Sequence, residues 1–80
     1  MLNEKIINKV ERLRSEAEEL WPLSDTQRKL DIRLSTLELK IKQNLIYEDL
    51  EQYMEELKIA RREYGNARSK FIDNYIFSRL

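Results

Sequence analysis

The stretch LEQYMEELKIARREYGNARSKFIDNY, residues 50–75, decides the fold. Within it Leu50, Tyr53, Leu57, Ala60, Tyr64, Ala67 and Phe71 follow at steps of three, four, three, four, three and four. That rhythm lays one apolar seam along an α-helix that packs lengthwise on other helices. A helix over 47–79 would be roughly 50 Å long at 1.5 Å rise per residue. No other segment carries so long a seam, so the remainder of the chain is read as its cover.

Upstream, Leu2, Ile6, Val10, Leu13, Ala17 and Leu20 step by four, four, three, four and three, with Ile7 and Trp21 widening the face. They predict a first helix over 3–20. Trp21-Pro22-Leu23 ends it, because the residue before a proline is pushed out of the helical region. Ser24 and Gln27 have the spacing of a capping box, with Asp25 as a rival N-cap, so a second helix starts near 25.

Residues 25–43 admit two readings. Leu30, Leu34, Leu37 and Ile41 fit one helical face, while Ile32 and Leu39, seven residues apart, fall on the opposite one. The stretch also alternates apolar and polar residues, as two strands folded about Ser35-Thr36 would. Arg33 would then oppose Glu38, and Asp31 would oppose Lys40, in an α-β-β-α arrangement with a hairpin at 29–42. Ser-Thr lacks the positive-φ residues that two-residue hairpin turns require. Leu, Lys, Glu, Arg and Gln also favour helix. The helix is therefore the preferred reading.

The second seam does not run in register into the third. Stepping on from Ile41 lands on Asn44, Glu48 and Glu51, and Asn tolerates the left-handed conformation that ends many helices. A turn near 44–47 is expected, with Glu48, Asp49 and Glu51 at the favourable N-terminal end of the next helix. The competing reading is one uninterrupted helix from 25 onward, along the seven-residue line Ile32, Leu39, Ile46, Tyr53, Ala60 and Ala67. Gly65-Asn66 offers another break, after the basic Lys58, Arg61 and Arg62. The apolar rhythm passes through it in phase, and continuity is preferred. The expected architecture is all-α: a small antiparallel helical bundle over 1–80, as a single domain. Two shorter helices, 3–20 and 25–43, pack on one long C-terminal helix, 47–79, in coiled-coil fashion. An up-down-up order would bring Glu16, Glu18 and Glu19 level with Arg28, Lys29, Arg61 and Arg62.

Composition limits the function. Eighty residues give one small core, and 41% apolar residues with one Gly and one Pro suit helices rather than a disordered tail. Fifteen basic and fifteen acidic residues cancel, so no global field draws the chain to nucleic acid or anionic lipid. With no Cys and no His, zinc spacings, thiol chemistry and the commonest general base are absent, and the one Gly rules out a phosphate-binding loop. Carboxylate pairs such as Glu16/Glu19 and Glu51/Glu55 sit at helical neighbour spacing and read as solvated faces. No catalytic, cofactor-binding or metal-binding residue is expected. No segment approaches the ~18 apolar residues of a membrane span, and cytoplasmic residence is the expectation.

Two surfaces remain. The densest apolar cluster is Phe71, Ile72, Tyr75, Ile76, Phe77 and Leu80, which face more than one side of the helix. With Tyr64 they are the expected contact with a protein partner, most simply a second copy, since large exposed apolar patches mark binding surfaces. The chain then reads as a non-enzymatic interaction module: a small adaptor, inhibitor or regulator. The second surface is the basic stretch 58–70, with Lys58, Arg61, Arg62, Arg68 and Lys70, which could meet phosphates in a nucleic-acid-binding regulator. The acidic residues at 48–56 count against that reading.

Overall fold

A computed structural model describes residues 2–43 and 47–80, and the side chains of all these except Leu2, Tyr47 and Glu48. Helix α1 spans Leu2–Leu20, a 3-10 turn occupies Trp21–Leu23, α2 spans Asp25–Gln43 and α3 spans Tyr47–Arg79. Among the described residues there is no strand, and the fold is an all-α helical bundle. The hairpin reading of 29–42 is thereby corrected. Leu34, Leu37 and Ile41 of α2 lie against α3 while Ile32 and Leu39 are exposed; one helical face separates them so, whereas strands paired about Ser35-Thr36 would put all five on the same face. Among the described residues none adopts a positive φ, so Ser35-Thr36 forms no hairpin turn. Of the turn expected near 44–47, residues 44–46 lie outside the described residues and Tyr47 begins α3.

Both short helices run antiparallel to α3. Along α2, Gln27 meets Tyr64, Arg33 pairs with Glu63, Glu38 with Arg61, and Lys40 lies over the ring of Tyr53. Along α1, Glu16 meets Tyr75, Glu18 meets Arg68 and Trp21 meets Tyr64. The α3 partner number falls as the α1 or α2 number rises. Because α2 and α3 lie side by side in opposite directions, the uninterrupted helix is corrected as well.

The up-down-up order is a further correction. Among the described residues α1 and α2 do not touch each other; they follow one another along α3. A side-by-side bundle would be no longer than α3, about 50 Å at 1.5 Å per residue. The Cα trace instead extends 61 × 20 × 15 Å. The molecule is a helical hairpin whose first arm is broken once, at Pro22. The physical reason lies in the turn. Ser24 takes an extended conformation (φ −77°, ψ 148°), and its N–H donates to the carbonyl of Trp21 at 3.0 Å. This short 3-10 link interrupts the helix without reversing it.

Among the described residues two small cores result. Leu13 and Ala17 of α1 are buried with Ile72 and Ile76 of α3, flanked by Val10, Phe71 and Tyr75. Leu37 of α2 is buried with Leu57 and Ala60, flanked by Leu34, Ile41 and Tyr53. Burying each of these large aliphatic side chains contributes about 1.5–3 kcal/mol relative to exposure. Ala17 and Ala60 are fully covered. Gly65 is helical, and α3 passes through it unbroken.

Candidate functional site

The middle of α3 is held by a hub at the break in the first arm. Trp21 is 3% exposed and packs edge-on to Tyr64 (centroids 5.5 Å apart) and tilted against Phe71 (5.4 Å). Its indole Nε1–H donates to the Tyr64 hydroxyl at 3.2 Å, and Gln27 Nε2–H donates to the same oxygen at 3.2 Å. A phenolic oxygen can accept both bonds. Half of the expected capping box forms: Gln27 N–H donates to Ser24 Oγ at 3.1 Å. The Gln27 side chain is committed to Tyr64 and does not return to Ser24. Sequence spacing found the cap but could not foresee the competing acceptor on α3.

The C-terminal cluster divides. Ile72 (7% exposed) and Ile76 (5%) are buried against α1. A partner reaches them only if α1 moves. Tyr64 and Phe71 are half-buried around Trp21. Tyr75 is half-buried, donates to Glu16 Oε2 at 2.9 Å, and carries the Arg79 guanidinium 3.6 Å above its ring. Its bond to the Glu16 carboxylate, followed by desolvation and the charge of Glu16, raises its pKa above the ordinary tyrosine value; Arg79 opposes the shift. Phe77, 72% exposed, and Leu80 face outward. Ile6 and Ile7, near the start of α1, are exposed as well.

The basic stretch divides too. Arg61 reaches Glu38 at 3.8 Å and Arg68 reaches Glu18 at 3.9 Å, each pair tying a short helix to α3. Such exposed pairs contribute only about 0–1 kcal/mol each and serve mainly to fix register. Lys58, Arg62 and Lys70 are exposed and make no ion pair among the described residues. Lys58 lines an open groove of about 550 Å³ with Leu50, Glu51, Met54 and Glu55, on an outer face of α3. A second hollow, about 400 Å³, lies beside the hub and is lined by Trp21, Phe71, Lys70 and Asn74 among others.

The first groove joins Glu51 and Glu55, which read as a solvated face, to Lys58 of the basic stretch. Glu51, Glu55, Lys58 and Arg62 succeed one another at steps of four, three and four, so they form one stripe. All four are exposed, and none makes an ion pair among the described residues. The order of their signs, two negative then two positive, was present in the sequence. That this face is turned away from α1 and α2 was not.

Among the described residues no group of three or more acidic side chains could hold a metal ion, and no helix is long and apolar enough to cross a membrane. No protein-family model matches the chain, and neither a curated protein nor a solved structure matches it.

Proposed function

We propose that this chain is a non-enzymatic protein-interaction module, a small cytoplasmic adaptor, inhibitor or regulator, that docks on another protein through the outer side of its C-terminal helix. The observation that carries the reading is Phe77, a large aromatic residue 72% exposed, next in sequence to the buried Ile76 and one turn before the exposed Leu80. Aromatic residues are the usual energetic anchors of interfaces. The total surface points the same way. The chain exposes 6513 Å², against about 5,200 Å² for a compact monomer of its 9.8 kDa mass. The excess exceeds the roughly 800 Å² that one partner contributes to a standard interface.

Nucleic-acid binding fits less well. Arg61 and Arg68 are drawn into ion pairs with Glu38 and Glu18, and Lys58 shares its groove with Glu51 and Glu55. The test is capture of a partner by the immobilised chain, repeated with Phe77→Ser/Leu80→Ser and with a surface control, Ser69→Ala. Capture lost in the first and kept in the second supports the reading. Equal capture by all three removes Phe77 and Leu80 as the docking point. Tight duplex-DNA binding that weakens steeply with salt would favour the nucleic-acid reading instead.

A further inference from the structure

The charged stripe on α3 has a symmetry that selects its own partner. Read forward, Glu51, Glu55, Lys58 and Arg62 are negative, negative, positive, positive. Read backward, every sign inverts. We propose that two copies of this chain associate through this stripe, α3 against α3, antiparallel about a two-fold axis between Glu56 and Leu57. Glu51 then faces Arg62 of the second copy and Glu55 faces Lys58, and the symmetry repeats both pairs. All four contacts join opposite charges. A parallel, in-register pairing would instead set each charge against itself.

Three observations on the single chain support this occupant over an unrelated one. First, the four charges have no ion-pair partner among the described residues, although Arg61 and Arg68, on the same helix, do. Second, within one helix Glu51/Glu55 and Lys58/Arg62 are like-charge neighbours four residues apart, which repel. An antiparallel mate supplies each with the opposite sign. Third, the stripe carries apolar flanks. Met54, 56% exposed, lies on one side and Ile59 on the other. Each is within three residues of the midpoint, so each sits beside its own copy. The 550 Å³ groove lined by Leu50, Met54 and Lys58 gives the Met54 side room to close. The stripe from 51 to 62 is only about 18 Å long at 1.5 Å per residue. So small and charged a contact belongs at the weak end of interfaces, giving a rapidly exchanging, salt-sensitive dimer. This pairing uses a different face from Phe77 and Leu80 and does not depend on that docking reading.

The test is sedimentation of the full chain across a concentration series at low and high salt. The wild type is expected to approach twice its 9.8 kDa mass at high concentration in low salt, and to fall back as salt rises. Glu51→Lys/Glu55→Lys makes the stripe wholly positive, and Lys58→Glu/Arg62→Glu makes it wholly negative. Each variant alone is expected to be monomeric, and their equimolar mixture is expected to recover the dimer. Misfolding cannot produce that recovery, and far-UV circular dichroism of each variant checks the fold independently. A wild type that stays monomeric throughout overturns the proposal. So does a dimer that survives either charge reversal, or a mixture that stays monomeric. Phe77→Ser/Leu80→Ser should leave this dimer intact, which separates a failure here from a failure of the docking reading.

Discussion

Replacing Gly65 with Ala tests the continuity of α3 most directly. A glycine inside a helix costs about 0.5–1 kcal/mol relative to alanine, because its unfolded backbone is freer. Two features remove the usual reasons to keep it. Gly65 lies within α3 without a positive φ, and a Cβ built on it meets nothing within 4 Å. The position is exposed, so the methyl group adds little burial. The whole propensity difference should therefore appear as stability. For a chain of this size about 1 kcal/mol corresponds to a 4–8 °C shift in melting temperature, so a rise of about 2–8 °C is expected. Urea and thermal unfolding by far-UV circular dichroism, at one fixed low concentration so that self-association does not enter, would measure it. A loss of stability would refute the reasoning. It would mean that the backbone at Gly65-Asn66 takes a conformation closed to alanine, and that α3 breaks where the sequence offers a helix stop.

Two other perturbations follow from the hub and the C-terminal turn. Tyr64→Phe keeps the ring against Trp21 but removes the oxygen that accepts from Trp21 and Gln27. It should cost about 1–3 kcal/mol, the penalty for leaving a buried donor unmade, read by the fluorescence of the single tryptophan and by circular dichroism together; no change would show that water replaces both bonds. Tyr75 should ionise above the ordinary tyrosine value near 10 because its hydroxyl donates to the Glu16 carboxylate. Folding therefore favours its protonated form. The contribution to stability is fully present below the unfolded pKa and is lost as pH rises through the raised folded value. Tyrosinate difference spectra against Tyr75→Phe should show this, with Glu16→Gln lowering the titration; an unchanged titration in Glu16→Gln would rule out that cause.

The helices were legible because each rests on local signals. The three-four rhythm, the proline after Trp21 and the Ser24 cap are all read within a few residues. The arrangement of the helices was not. The up-down-up order assumed that Pro22 reverses the chain, whereas the 3-10 turn only offsets it, and nothing within Trp21-Pro22-Leu23 distinguishes those outcomes. The shift in the α3 seam was equally hidden. Tyr53, Leu57, Ala60, Tyr64, Ala67, Phe71 and Tyr75 hold one line, which α2 covers at Leu57 and Ala60. At α1 the buried positions are Ile72 and Ile76, one residue on and so about 100° further round, while Phe71 and Tyr75 of the line pack beside them. Seen as one seam, Ile72 and Ile76 are surplus; where the contact shifts round α3 under α1, they are core.

The same ambiguity governs the charges, and it sets the condition under which the candidate surfaces become visible. Arg61 and Arg62 are neighbours in sequence, yet successive helical residues point about 100° apart. Arg61 turns toward α2 and meets Glu38, whereas Arg62 turns outward onto the stripe. Arg68 likewise meets Glu18 on α1, while Lys58 lines the open groove. A basic run that looks uniform in sequence is thus sorted by its angle around α3. Some charges fix how the two short helices sit, and others face solvent. Only a fold that leaves part of a long helix uncovered sorts them this way. A bundle closed around α3 would have used both sets internally, and the antisymmetric order of Glu51, Glu55, Lys58 and Arg62 would then carry no meaning for a second copy.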